Sequence, residues 1–263
     1  MKKIISLTLA LIMAFSLTIA AFAADTASFV LLGDSIAYGH GLKDKANYSY
    51  GALISSANGY SYTNHAHNGD TTYDLNDKLT RPDVIASLDS ADIIAVSIGG
   101  NNFLTGGIAL MAITGLFGNY DLINDTADDF YENFSLAIDT IKSINPEATL
   151  LVQTLYNPRN DFLKGVYQHG LDRLNAYIRQ AAPEKDFTVI EVAEAFSGHA
   201  GEYIQDDVIH PNERGDYVIA CEYLKVLKAM GLGTAEKPLV EEAEVAIYSV
   251  WDKIMDFFKK LFR

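Results

Sequence analysis

The stretch Ser28-Phe29-Val30-Leu31-Leu32-Gly33-Asp34-Ser35-Ile36-Ala37 decides the fold of this chain. It begins as an apolar run of strand length, turns sharply at Gly33, and places Ser35 where a helix can begin. In open α/β sheets, ligands bind at the carboxyl ends of the strands, which is where such a turn leaves the next side chain. Ser35 is therefore a candidate nucleophile. The alternative interpretation is that Asp34 or Ser35 only caps the helix.

Apolar runs and segments of helical periodicity alternate along the rest of the chain. We predict the further strands at residues 60–67, 92–98, 148–155 and 187–192. Helical connections between strands imply that the strands are parallel, because antiparallel neighbours can be joined by short turns. The alternation therefore predicts a three-layer α/β/α sandwich.

The two ends of the chain differ from this central part. Lys2 and Lys3 precede an apolar run, and Ala21-Phe22-Ala23 is a small-x-small pattern, so we predict a signal peptide over residues 1–23 and a secreted protein. The apolar run approaches spanning length, and an uncleaved membrane anchor is the alternative.

We expect a hydrolase domain over residues 24–230, a linker over 231–243 and an amphipathic helix over 244–263. The last segment places apolar and aromatic residues on one helical stripe, with lysines nearby. Such a helix could contact a membrane surface or another protein, or it could pack on its own domain.

Charge and cysteine content exclude some classes of protein. The formal net charge is −14, which argues against a nucleic-acid partner because the phosphate backbone is also negative. Cys221 is the single cysteine, so no disulfide forms within the chain. An exported domain of this kind depends on its hydrophobic core for stability.

Two further strand ends carry groups that can stabilise an oxyanion. Gly69 follows the second predicted strand, and a ligand can approach its backbone N–H. Asn101 follows the third, and its amide is a neutral donor. Together with the N–H of Ser35 they would form a three-donor oxyanion hole. Ordinary turn glycines and a helix-capping asparagine are the alternatives.

A candidate base and its orienting acid lie just before the last predicted helix. His210 follows Asp207 by three residues, so the carboxylate can accept from one ring nitrogen and leave the other for the serine. Asp206 could compete for the role of Asp207. A surface histidine that caps the helix is the alternative.

Four motif blocks now stand in register, and on them the chain resembles the SGNH hydrolase superfamily, also called the GDSL esterase/lipase family. The blocks are Gly33-Asp34-Ser35-Ile36, Asn68-Gly69, Gly99-Gly100-Asn101-Asn102 and Asp207-Val208-Ile209-His210-Pro211. The resemblance covers about residues 29–230. It implies a flavodoxin-like five-stranded parallel sheet in the order 2-1-3-4-5. It also implies ester hydrolysis without metal or organic cofactor.

The same resemblance implies a role for each matching residue. Ser35 is the expected nucleophile, His210 the base and Asp207 its orienter, with Gly69 and Asn101 as oxyanion donors. Asn102 departs from the pattern, because this position in the family usually holds aspartate. An amide can supply only half of the acceptor capacity of a carboxylate that braces a loop.

The substrate stays open at this level. Acetylated carbohydrate, short acyl esters and lipid esters all fit, and so does transfer of the acyl group to a sugar hydroxyl. A catalytically quiet module that binds glycan or the cell envelope is a further alternative, since a fold does not guarantee chemistry. The uncharged stretch 103–120 could wall an acyl pocket or form a lid through Leu104, Ile108, Met111 and Phe117, or it could be a buried crossover helix.

Overall fold

The computed structural model describes residues 26–241, which form a five-stranded parallel sheet covered by helices on both faces. The strand order is β2-β1-β3-β4-β5, which confirms the predicted topology. The strands are β1 (Ser28–Gly33), β2 (Ser61–Asn64), β3 (Ile93–Ser97), β4 (Thr149–Gln153) and β5 (Thr188–Ile190). Strands β2 to β5 are shorter than the ranges predicted for them, because the residues at the ends of those ranges belong to the adjoining turns.

Twelve helices surround this sheet within the described residues. They are α1 (Ser35–Tyr38), α2 (Lys45–Tyr48), α3 (Tyr50–Asn58), α4 (Thr72–Lys78), α5 (Pro82–Asp89), α6 (Gly100–Thr105), α7 (Ile108–Leu116), α8 (Asp121–Ile144), α9 (Lys164–Lys185), α10 (Val192–Ala195), α11 (Ala200–Tyr203) and α12 (Glu213–Ala229).

The central strands are buried on both faces, which explains their nearly continuous apolar sequences. Along β1, Val30 and Leu32 pack into one core with helices α4, α5, α8 and α9. Phe29 and Leu31 pack into a second core with α3 and α12. The alternation of side chains along one strand therefore produces the two helical layers.

The helices differ from expectation at two places. Residues 103–120 hold two short helices, the end of α6 and all of α7, because Gly106 and Gly107 interrupt the helical backbone. Helix α9 passes through Pro183, although a proline inside a helix usually ends or kinks it. The missing N–H of Pro183 removes one bond of the last turn, but the N–H of Asp186 donates to the Ala182 carbonyl and closes that turn.

The first part of the expected linker packs on the domain. Tyr60 Oη donates to the carbonyl of Leu232 at 2.6 Å. Asn58 Oδ1 accepts from the backbone N–H groups of Thr234 and Ala235. The expected signal peptide (1–23) and amphipathic helix (244–263) lie outside the described residues. Between residues 26 and 241, no helix is both long enough and apolar enough to cross a membrane.

Candidate active site

The turn after β1 presents Ser35 at the carboxyl edge of the sheet. A Cβ on Gly33 would lie 2.2 Å from the Ser97 carbonyl oxygen, and the φ of Gly33 is +152°, so only glycine fits here. The N–H of Asp34 donates to that same carbonyl at 3.1 Å. Asp34 caps α1 by accepting from the N–H of Ile36 at 3.0 Å. The capping role therefore belongs to Asp34, and the Ser35 hydroxyl is free for other partners.

Ser35, His210 and Asp207 form one hydrogen-bonded chain. The His210 Nε2 lies 2.8 Å from Ser35 Oγ, and His210 Nδ1 lies 2.6 Å from Asp207 Oδ2. Because a carboxylate only accepts, we assign the ring proton to Nδ1, which leaves Nε2 to accept from the serine hydroxyl. The structure thus brings together all three residues of the expected triad.

The loop between Asp207 and His210 holds the carboxylate in a fixed orientation. Asp207 Oδ1 accepts from the backbone N–H groups of Ile209 and His210 at 2.9 and 3.0 Å. Burial by itself would raise the pKa of the Asp207 carboxyl, but the hydrogen bonds from His210 and Ile209 outweigh it and hold the pKa below its ordinary value. Val208 has a φ of +59°, a strained conformation for a β-branched residue, and this tight turn aims the carboxylate at the ring.

The ring of His40 covers one face of His210. The two ring centroids are 4.3 Å apart, with an angle of 40° between the planes. Gln205 Nε2 donates to the His40 carbonyl at 2.8 Å and fixes this loop to the loop of the base. Ligand atoms of His40, Asp207 and His210 lie within 4.8 Å of one another. Both ring nitrogens of His210 are already engaged, one with Asp207 and the other with Ser35, so neither is left to bind a metal ion. From the sequence, His40 lies in the loop after the nucleophile turn and could line the cleft. Its contact with His210 could not be predicted, because that contact is purely tertiary.

Backbone and side-chain hydrogen bonds bring the expected oxyanion donors beside the serine turn. The N–H of His67 donates to the Gly33 carbonyl at 3.1 Å, which ties the second motif block to the first. Asn101 Nδ2 donates to the Asp70 carbonyl at 2.9 Å, which ties the third block to the second. This bond uses one of the two amide hydrogens of Asn101 and leaves the other available as a donor. Gly69 has a φ of +88°, with open space where a Cβ would stand, so the backbone conformation is what favours glycine there.

Asn102 braces the helix that follows the second block. Its Oδ1 accepts from the N–H of Thr72 at 3.2 Å, and its Nδ2 donates to Thr72 Oγ1 at 2.8 Å. Both residues are buried. The asparagine therefore pairs with one donor and one acceptor of the same residue. A carboxylate at this position could instead accept from both the N–H and the hydroxyl of Thr72.

A buried ion pair lies under the second block and escaped sequence analysis. Lys78 Nζ donates to the Asp70 carboxylate and, at 2.5 Å, to the His65 carbonyl. The pKa of the Asp34 carboxyl is raised to about 7, chiefly by burial. The hydrogen bond from Ile36 and the charge of Lys78 oppose this shift, and the charge of Asp70 adds to it. Lys78 reads in the sequence as one more polar residue of a helix, and only its position in the fold reveals the pair.

A mostly apolar cavity opens beside Ser35. The cavity has a volume of about 100 Å³. Its apolar lining includes Phe103, Leu104, Ile108, Met111, Ile123, Leu155, Val166, Leu171 and Ile209. Of the four residues expected to wall a pocket, Phe117 is instead exposed and does not line the cavity. The stretch 103–120 is therefore a wall of this cavity.

Comparison with known proteins gives a consistent result. The model of the GDSL-like Lipase/Acylhydrolase family matches residues 31–217. A lipase, Lip_vut3, from a goat rumen metagenome has a similar structure, with a TM-score of 0.65, 21% identity, and coverage of 79% of this chain and 99% of that one. Phospholipase A1 from Streptomyces albidoflavus NA297 has a TM-score of 0.60 at 22% identity, with coverage of 78% and 99%. None of the curated proteins matches the sequence significantly.

The pKa of Asp34 predicts an unusual pH dependence of stability. The buried carboxyl keeps its proton to about pH 7, whereas its ordinary pKa is 3.8. Between these values the folded state binds the extra proton, so the free energy of unfolding falls as pH rises, by up to about 1.4 kcal/mol per pH unit. Asp34→Asn keeps an acceptor for the Ile36 N–H but cannot ionise.

We therefore expect the stability of the Asp34→Asn variant, relative to wild type, to increase by about 2 kcal/mol between pH 5 and pH 7. Denaturant unfolding at both pH values measures this difference. The control is Asp89→Asn, which changes an exposed carboxylate at the end of α5. Equal pH slopes for wild type and Asp34→Asn would contradict the assigned pKa.

Proposed function

The chain belongs to the GDSL-like lipase/acylhydrolase family and is an ester-hydrolysing enzyme, and from this premise we propose that it is a secreted serine esterase whose triad is Ser35, His210 and Asp207. One observation supports the triad above all others. An unbroken hydrogen-bonded chain runs from Asp207 through His210 to Ser35, and the serine borders an apolar cavity. This arrangement has the roles and geometry of a Ser-His-Asp relay.

The proposed reaction proceeds through an acyl-enzyme. His210 Nε2 takes the hydroxyl proton as Ser35 Oγ forms a bond to the ester carbonyl carbon. The bond from that carbon to the alcohol oxygen then breaks, and the alcohol leaves with the proton from His210. Water next gives a proton to the same ring and attacks the acyl carbon. The acid leaves, and the proton returns to Ser35. Asp207 stabilises the imidazolium formed in both steps.

The tetrahedral intermediates carry a negative oxygen, for which we propose three donors. These are the backbone N–H groups of Ser35 and Gly69 and the second amide hydrogen of Asn101. The bond of Asn101 Nδ2 to the Asp70 carbonyl orients that amide before substrate binds. Donors that are already oriented need no reorganisation as charge develops, and each contributes about 3 kcal/mol to the transition state.

We propose that the acyl part of the substrate is an extended apolar chain. The cavity beside Ser35 is walled mainly by aliphatic and aromatic side chains, which offer an acetyl group or a sugar little to bind. Each buried methylene contributes about 0.8 kcal/mol. This supports lipid or medium-chain esters over acetylated carbohydrate.

We expect Ser35→Ala to lower kcat/KM for a chromogenic ester at least a thousandfold without loss of fold. Ser90→Ala, an exposed serine at the end of α5, is the matched control. Retained turnover by the Ser35→Ala variant would contradict the nucleophile assignment.

Two neighbouring carboxylates allow an equally sharp test of the acid. We expect Asp207→Asn to lower kcat by about 10³ to 10⁴, because an amide no longer holds the correct ring tautomer. Asp206→Asn should leave kcat unchanged, since the His210 backbone N–H and ring Nδ1 both donate to the carboxylate of Asp207. Steady-state kinetics of the pair would contradict the assignment if the two variants lost equal activity.

The acyl preference is tested with soluble nitrophenyl esters of increasing chain length. We expect kcat/KM to rise from acetate to octanoate, by at most about fourfold per methylene. Ile108→Trp, which places an indole against the cavity, should remove this rise and leave the acetate unaffected. Leu110 lies on the other side of α7, outside the cavity lining, so Leu110→Trp is the control. A flat chain-length profile in the wild type would contradict an acyl cavity.

Export is tested by the mass of the mature protein. We expect the chain recovered outside the producing cell to begin at Ala24, because signal peptidase cleaves after a small-x-small pattern. Changing Ala23 to a bulky residue should block processing and retain the protein at the membrane. A chain recovered with residues 1–23 intact in the cytoplasm would contradict the proposal.

A further inference from the structure

Helix α7 is apolar on both of its sides. Its inner side contributes Ile108 and Met111 to the cavity beside Ser35. Leu110, Ile113 and Leu116, on its outer side, are 54%, 57% and 49% exposed, and Phe117, directly after the helix, is 88% exposed. We call these four residues the apolar ridge. A helix that is hydrophobic all round is normally buried on all sides, yet this one has no described element over its ridge.

The apolar ridge is unusual because its exposed apolar side chains are neighbours on one surface. Single exposed apolar side chains are common on soluble proteins and need no explanation. Leu136 on α8 is such a case: it is 56% exposed and lies among Glu132, Asp139 and Thr140 on the helix surface. The ridge instead joins four large side chains within eight residues, and a contiguous exposed apolar patch marks an interaction site.

The charge pattern indicates what kind of surface the ridge meets. Residues 103–120 contain no charged side chain, although the whole chain carries a net charge of −14. Protein interfaces surround their apolar centre with a polar rim that fixes the partner's orientation. A lipid surface needs no such rim, and binding to it strengthens with the apolar area that is buried. Without charges in residues 103–120, no electrostatic attraction to anionic lipid is expected from this stretch.

The position of the ridge indicates the same partner. The ridge and one wall of the cavity belong to the same two-turn helix, so a surface that contacts the ridge lies next to the cavity that holds Ser35. Helix α7 is fixed there through Gly115, whose Cα packs so closely on Val166 that a Cβ would lie 2.7 Å from it. An ester molecule that leaves a lipid surface would pass from one side of α7 to the other.

We propose that the apolar ridge docks the enzyme on the surface of neutral or zwitterionic lipid. Helix α7 then lies in the plane of the interface, with its ridge in the acyl boundary and its inner side against the substrate cavity. This inference rests on the proposed function only in that the lipid is taken to carry the ester. Docking itself needs no catalysis.

The test measures docking on the full chain with Ser35→Ala, so that no substrate is consumed. The probe is phosphatidylcholine vesicles, and partition is measured by flotation. We expect Leu110→Ser combined with Ile113→Ser to lower the partition coefficient at least tenfold. Leu136→Ser, the matched control, should change it less than twofold. Thermal unfolding verifies that each variant is folded. If the double serine variant does not fold, the double variant Leu110→Ala with Ile113→Ala replaces it.

Each outcome decides the proposal. An unchanged partition coefficient in the ridge variant overturns it, because another segment would then carry the docking. A wild type that is dimeric by light scattering, becomes monomeric on ridge substitution and does not bind vesicles also overturns it, since the ridge would then be a self-association surface. Docking that depends on the ridge in a protein that hydrolyses no ester supports this inference and contradicts the proposed function.

With Ser35 intact, the ridge substitutions should separate two kinds of substrate. We expect kcat/KM for a dissolved butyrate ester to stay within twofold of wild type, because neither Leu110 nor Ile113 lines the cavity. Hydrolysis of an ester presented in vesicles should fall at least tenfold. Equal losses on both substrates would show damage to the site and overturn the docking role.

Discussion

The close contact between Gly33 and Ser97 is the constraint on which the site depends. Strand β1 pairs with β2 on one side and β3 on the other, so its end lies in the middle of the sheet edge. The Asp34 N–H donates to the Ser97 carbonyl, and no side chain fits at position 33 between them. The chain must therefore leave the sheet in one direction, and the first residue of α1 is Ser35. The other three motif blocks are positioned relative to this turn by hydrogen bonds rather than by chance proximity.

Buried polar groups near this turn are stabilised by partners rather than by solvent. Asp70 and Lys78 neutralise each other, and Asn102 pairs with Thr72 in both directions. Removal of one member of such a pair leaves the other buried without a partner, which is more costly than the pair is stabilising. Asp216, in the second core, accepts from the Tyr50 N–H while burial raises its carboxyl pKa well above the ordinary value. A neutral carboxyl at that position is consistent with its complete enclosure.

The cavity and the apolar ridge share a single short helix. Gly106 and Gly107 separate α6 from α7, which lets α7 lie across the cavity instead of continuing along α6. The same uncharged sequence therefore supplies both a wall for an acyl chain and an exposed apolar surface. Substrate selection and contact with lipid would then be properties of one element, whereas the residues of the proposed triad lie at the end of β1 and in the loop before α12.

The sequence by itself determined the sheet, its two helical layers and the three residues that we propose as the triad. Burial on both faces leaves continuous apolar runs, and a base with its orienting acid three residues apart is a local pattern. The sequence could not indicate the pairs Asp70–Lys78 and Asn102–Thr72, the ring contact between His40 and His210 or the exposure of Phe117. Local periodicity encodes which side of an element is buried, but it does not encode which distant side chains meet there. Only the tertiary structure decides those contacts, because they join turns that the sheet brings together from separate parts of the chain.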